Sequence, residues 1–344
     1  MSYEETYQQM KNKLGKLLPD FEIKYKAELA YQINQLKKQK NAIILGHNYM
    51  EPALYHSIPD IVGDSLELSR KAAQTDKDII VFCGVRFMAE TAKILNPGKT
   101  VLLPAQKAGC SLAESITAKD VRDLKKQFPG VPVVTYINTY ADVKAESDIC
   151  CTSGNAAKVV ESLKSETVIF IPDEYLAKNV AMETGKHIIF PTRKPRARKE
   201  GVLDYQIIGW TGRCEVHEKF TVEDIENVRK QFPEVVILAH PECSPEVVKA
   251  SDFSGSTSAM IRYIEKVSAK QYLLLTECSM GDNIMASHPE KEMLRLCSVR
   301  CPHMNEITLE ETLQSLQKIQ YIIEVPEDIR IRAYRPLERM LAIS

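Results

Sequence analysis

The chain has 344 residues, 44% of them apolar and 26% charged, and a formal net charge of −1. That length exceeds one ordinary hydrophobic core and predicts two or three compact units of a soluble globular protein. Near-neutrality excludes a global drive toward nucleic acid or anionic membrane.

The N-terminal stretch "MSYEETYQQMKNKLGK" is polar and amphipathic, without the apolar core of a signal peptide. No run approaches the roughly 18 apolar residues of a membrane span. A cytoplasmic protein is expected. Nine cysteines, Cys83, Cys110, Cys150, Cys151, Cys214, Cys243, Cys278, Cys297 and Cys301, then read as metal ligands, catalytic thiols or small buried hydrophobes rather than a disulfide framework.

Residues 1–39 read as helical. Apolar runs rich in Val and Ile follow at 41–49, 78–85, 100–104, 131–138, 167–173, 187–191, 234–242 and 271–278. They predict strands buried on both faces, and the runs between them have apolar residues at helical spacing. The class is α/β with parallel sheets.

The segments repeat. The first strand of each copy ends in "ILGHN", "TYIN" or "ILAHPE". A small-residue turn beginning with Asp follows at 60–65, 148–156 and 252–260 and delivers Ser65, Ser153 or Thr257 to a helix start. Two copies close in "GKTVLLP" (98–104) and "GKHIIFP" (185–191), and the third is weaker there. Past the end of each copy stands a cysteine: Cys110, Cys214, Cys301. The middle copy carries a long insertion. Residues 305–344 again read as helical, with Thr308 and Glu311 spaced as a capping box.

Three thiolates at a pseudo-threefold axis make a soft-metal site. Zinc wants a fourth protein ligand or an open position, and an iron–sulfur cube normally takes four Cys, so three leave one iron free as a Lewis acid. The alternative is three unrelated buried thiols. Helix N-termini at Ser65, Ser153 and Thr257 suit a small, multiply anionic substrate, though Ser and Thr also cap helices without binding anything. His47, Tyr49, Tyr136, Asn138, His240 and Glu242 fall at the first-strand ends, on the same edge of the parallel units. They supply a base, proton donors and an oxyanion-type donor. His217 lies three residues after Cys214, as a ligand or a substrate contact. The basic run at 193–200 reads as a solvated loop, with a lid over a phosphate or a weak nucleic-acid contact as the alternatives. Cys297 and Cys301 form CxxxC, and Cys150 and Cys151 read as packing.

The strings "GHNY", "VGDS", "GVRFMAETAKILNP", "KAGCSLA", "TYINT", "CTSGNA", "GRCEVHEKF", "HPEC", "GSTSAM" and "CPHMNEITLEETL" occur in this order. From about residue 40 onward they resemble the quinolinate synthase family. The resemblance implies three pseudo-equivalent αβα domains related by pseudo-threefold symmetry around a central cavity. The expected spans are N-terminal helices 1–39, repeats 40–115, 116–220 (insertion 192–210) and 221–304, and a helical segment 305–344.

It further implies a [4Fe-4S] cluster on Cys110, Cys214 and Cys301. The reaction it implies condenses iminoaspartate with dihydroxyacetone phosphate to give quinolinate, phosphate and water in de novo NAD synthesis. By motif, His47, Ser65, Tyr136, Asn138, Ser153, His217, His240, Glu242 and Thr257 resemble the substrate contacts. Glu242 and Tyr49 resemble the proton-transfer pair, with His47 beside them. Functional coupling to an L-aspartate oxidase is implied, and no nucleic acid or membrane partner. The insertion departs from shorter members, and a regulatory Cys297–Cys301 disulfide is a separate expectation. The rival readings are an iron–sulfur hydro-lyase with a single carboxylate substrate, and a redox or metal sensor.

Overall fold

A computed structural model describes residues 1–185, 188–189, 207–294 and 299–343. The basic run at 193–200 and Cys297 lie outside the described residues.

The strands form three wholly parallel sheets. The first holds β1 (Ala42–His47), β2 (Ile61–Gly63), β3 (Ile79–Cys83) and β4 (Thr100–Leu102) in the order β2-β1-β3-β4. The second holds β5 (Val133–Tyr136), β6 (Ile149–Cys151), β7 (Val168–Ile171), β8 (Ile188–Ile189) and β9 (Ile207–Gly209) in the order β6-β5-β7-β9-β8. The third holds β10 (Val236–Ala239), β11 (Phe253–Ser254), β12 (Gln271–Leu275) and β13 (Glu292–Leu294) in the order β11-β10-β12-β13. The three pseudo-equivalent α/β units expected from the repeat are thus present.

Two details differ from the sequence reading. The end of the insertion is a strand, β9, lodged between β7 and β8, so "GKHIIFP" ends one strand further out than "GKTVLLP". The third copy lacks that string yet still makes its outer strand, β13, because Met293 is buried against the sheet and supplies the apolar contact.

One hydrogen-bond pattern registers the copies at atomic level. The backbone N–H of Ile44, Val133 and Ile237 donates to Oδ2 of Asp60, Asp148 and Asp252, at 2.9, 2.8 and 2.8 Å. The same three aspartates donate their own N–H back to the carbonyls of Ile44, Val133 and Ile237. An Asp side chain thereby extends the ladder where the chain turns. In this register His47, Tyr136 and His240 are equivalent; so are Tyr49, Asn138 and Glu242, and so are Ser65, Ser153 and Thr257.

Threonine caps repeat as well. Thr117 and Thr221 open helices Ala118–Gln127 and Val222–Gln231 with full capping boxes to Asp120 and Asp224. At Thr308, before helix Leu309–Lys318, only half of the expected box forms: the Glu311 N–H donates to Thr308 Oγ1 at 3.2 Å. That helix packs on Asp20–Gln39, and helix Glu327–Ala342 packs on β6 and Ala141–Ala145 through Ala333, Leu337 and Met340. Strand residues such as Ile44, Leu45, Val134, Phe170 and Leu238 are fully buried, each worth roughly 1.5–3 kcal/mol of apolar transfer. Among the described residues, no helix is long and apolar enough to cross a membrane.

Candidate functional site

The three cysteines singled out by the repeat occupy equivalent places. The N–H of Arg86, Glu174 and Cys278, at the start of the helix after each third strand, donates to the carbonyl of Ala108, Gly212 and Val299, at 2.8, 2.8 and 3.1 Å. Each of those carbonyls stands two residues before a cysteine. The carbonyls of Cys110, Cys214 and Cys301 then accept from Glu114, Glu218 and Asn305, at 3.0, 3.0 and 3.1 Å, so each cysteine opens a helical turn. The exposed N–H groups of that turn point back at sulfur: Leu112 and Ala113, Val216 and His217, His303 and Met304.

Burial still dominates. It pushes the Cys301 thiol up to about 11 and the Cys110 and Cys214 thiols well above their ordinary range, against the lowering effect of these N–H bonds. A bound cation would convert all three to thiolates.

One cavity gathers the predicted residues. It is lined by Cys110, Cys214 and Cys301, by His47, Tyr49, Tyr136, Asn138, His240 and Glu242 from the first-strand ends, by Ser65, Ser153 and Thr257, and by His217. Its described walls include no Lys or Arg. Favourable potential for an anion must therefore come from backbone N–H groups, hydroxyls and any bound metal.

Glu242 is the centre of a hydrogen-bonded set. Its Oε2 lies 2.7 Å from Nδ1 of His217 and 3.4 Å from Nδ1 of His240, and its Oε1 accepts from Asn138 Nδ2 at 3.3 Å. The His217 and His240 rings stack with centroids 4.6 Å apart. Burial opposes ionisation of Glu242, but the two imidazoles outweigh it and hold the carboxyl well below the ordinary range. Burial pushes His217 down against the raising effect of the Glu242 charge, and pushes His47 down to about 3. Burial and the Glu242 charge push the Tyr49 and Tyr136 phenols up. With Glu242 ionised, the Nδ1–H of neutral His217 is the donor to it, leaving Nε2 as an acceptor.

That acceptor meets a residue the sequence reading missed. Thr276 Oγ1 lies 2.9 Å from His217 Nε2 and 2.6 Å from the Tyr49 hydroxyl. Tyr49, Thr276, His217 and Glu242 thus form one continuous buried chain. The only sequence signal was a polar residue directly after the third strand of the third copy, where the other copies have Gly84 and Pro172.

The helix starts differ from expectation in part. Ser65 and Thr257 are the first residues of helices Ser65–Gln74 and Thr257–Lys266, but the capping side chains are Asp64 and Ser256. Ser153 lies in the turn ahead of helix Ala156–Ser162. Plain capping therefore explains none of the three hydroxyls. Thr257 Oγ1 accepts instead from Asn48 Nδ2 at 2.9 Å. Cys83, Cys150, Cys151 and Cys243 are buried.

Among the described residues, ligand atoms within 4.8 Å of one another are gathered only in Cys214, His217 and Glu242. Two ligands on one tetrahedral zinc stand about 3.4 Å apart, given metal–ligand distances near 2.1 Å. The 2.7 Å His217–Glu242 contact is shorter and is a hydrogen bond. The three cysteines line the same cavity, and among the described residues they are not gathered at the spacing of a single ion.

Fold and site define a class: an α/β protein of three like sheets around a cavity furnished with thiols and acid–base side chains. A family model, "Quinolinate synthetase A protein", matches residues 31–342. "Quinolinate synthase 2" of Mesorhizobium japonicum is 51% identical over 332 residues, 96% of each chain. "Quinolinate synthase" of Xylella fastidiosa is 53% identical over 311 residues, covering 90% of this chain and 86% of that one. The chain belongs to the quinolinate synthase family.

Proposed function

We propose that this chain condenses iminoaspartate with dihydroxyacetone phosphate to quinolinate, phosphate and water in NAD biosynthesis, in the cytoplasm. Cys110, Cys214 and Cys301 would hold a [4Fe-4S] cluster. Three protein ligands leave one iron with an open position, so the bound cluster supplies a Lewis acid for a carbonyl or leaving hydroxyl. The observation that carries the reading is the single cavity shared by the three equivalent cysteines and every residue expected to touch substrate.

The remaining chemistry falls to side chains. Ionised Glu242 is the base, and its Oε2 is anchored by His217. A proton leaving the Tyr49 phenol passes through the Thr276 hydroxyl to His217 Nε2 as the Nδ1 proton passes to ionised Glu242. His217 then ends the step neutral, and the one negative charge moves from the Glu242 carboxylate to the phenolate. His47, held neutral, accepts the Tyr49 backbone N–H on Nδ1 at 3.2 Å, which leaves Nε2–H as a donor for substrate. Tyr136, Asn138, His240 and the hydroxyls of Ser65, Ser153 and Thr257 offer hydrogen-bond donors to carboxylate and phosphate oxygens. The imine substrate is unstable in water, which favours supply by an L-aspartate oxidase.

The test is quinolinate formation by protein purified without air, given dihydroxyacetone phosphate and iminoaspartate generated in place. Iron-loaded protein that makes no quinolinate, while making another product from a single carboxylate substrate, would replace this reading with a hydro-lyase.

A further inference from the structure

Tyr49, Asn138 and Glu242 are equivalent in the three copies, and each sits on the loop that leaves a first strand. The carbonyls on either side of each are held by one buried donor. Asn179 Nδ2 donates to the carbonyls of Pro241 and Cys243, at 2.7 and 2.9 Å, bracketing Glu242. Asn283 Nδ2 donates to those of Asn48 and Met50, at 3.2 and 2.9 Å, bracketing Tyr49. Lys144 Nζ donates to Ile137, at 2.9 Å, and to Thr139, bracketing Asn138. All three donors are buried.

The pattern crosses the joints between sheets. Asn179 is on the helix after β7 and reaches the third sheet's loop; Asn283 is on the helix after β12 and reaches the first sheet's loop. By strand register the matching position in helix Arg86–Leu95 is Thr91, whose hydroxyl is taken up by the Phe87 carbonyl at 2.8 Å. There Lys144, from the loop's own unit, does the holding, with its ammonium 5.6 Å from the Phe87 ring centroid. Carbonyls only accept, so each amide must present its NH2 group to them. Among the described residues, the amide oxygens of Asn179 and Asn283 are both left without a hydrogen-bond partner, a further likeness between the two.

We propose that Asn179, Asn283 and Lys144 are positioning residues, each fixing one reacting side chain (Glu242, Tyr49 and Asn138) by clamping the backbone on both sides of it. The proposal rests on the reading of the site given above. Two carbonyls tied to one rigid donor leave the intervening residue little freedom, and displacement of a reacting group by about 1 Å costs on the order of 100-fold in rate. The clamps also make the site's geometry depend on how neighbouring units pack.

The experiment uses the iron-loaded enzyme with Asn179→Leu and Asn283→Leu, which keep size and remove the donor, and with the milder Asn179→Ser. Iron and sulfide content, melting temperature, kcat and KM are measured for each. Expected are parental iron content, kcat lowered by about 10- to 100-fold in the Leu variants and less in Asn179→Ser, and KM within about twofold of the parent. Combined with Glu242→Gln, Asn179→Leu should lower the residual rate no further, because it acts through Glu242. A kcat within twofold of the parent in folded, loaded variants would overturn the proposal. So would iron content falling in parallel with kcat in both the Leu and Ser forms, the mark of a merely structural role. Near-parental turnover of Glu242→Gln alone would instead remove the reading of the site on which the clamps depend.

Discussion

The hydroxyl of Thr276, directly after β12 of the third sheet, lies 2.6 Å from the phenol of Tyr49, which leaves β1 of the first. Both residues are buried. Thr276→Val keeps the shape and removes the hydroxyl. Turnover is expected to fall about 100-fold, the usual scale for a lost acid–base contact. Thr276→Ser should retain most of it. Equal rates for the Val and Ser variants would show that protons at Tyr49 take another route.

Glu242 accepts hydrogen bonds from His217 and Asn138 while ionised. Glu242→Gln preserves volume and removes the charge. It is expected to keep its iron and lose at least about 100-fold in kcat. Steady-state rates on iron-quantified protein decide this, and a near-normal rate would exclude Glu242 as the base.

Asp60, Asp148 and Asp252 each pin a first strand to the turn that follows. Replacing any one with Ala leaves a strand N–H without its acceptor, at a cost of about 1–2 kcal/mol. Denaturant unfolding should show comparable losses at all three. An unchanged midpoint for each would mean that water replaces the carboxylate at no cost.

The sequence is most legible where local chemistry and function coincide. Apolar runs ending in "GHN", "YIN" and "HPE" reveal both strands and site, because strands buried on two faces must be apolar until they reach the cavity edge. Cys110, Cys214 and Cys301 are legible only through the repeat, since nothing beside each cysteine marks it. Thr276 is hidden because a single Thr after a strand is unremarkable until folding brings Tyr49 and His217 to it. Asn179, Asn283 and Lys144 are hidden more deeply: their partners are backbone carbonyls, which every residue has. β9 was missed because its pairing is set by where the insertion returns to the sheet, a non-local fact.

The most direct test is quantification of iron and sulfide, with electronic spectra, on protein purified without air, alongside single Cys110→Ser, Cys214→Ser and Cys301→Ser variants. Expected are about four iron and four sulfide per parent chain, the content of one cubane cluster, and loss of the visible absorbance in each variant. One zinc per chain and no sulfide, or a parental spectrum that survives any one of the three substitutions, would contradict a cluster held jointly by these thiols.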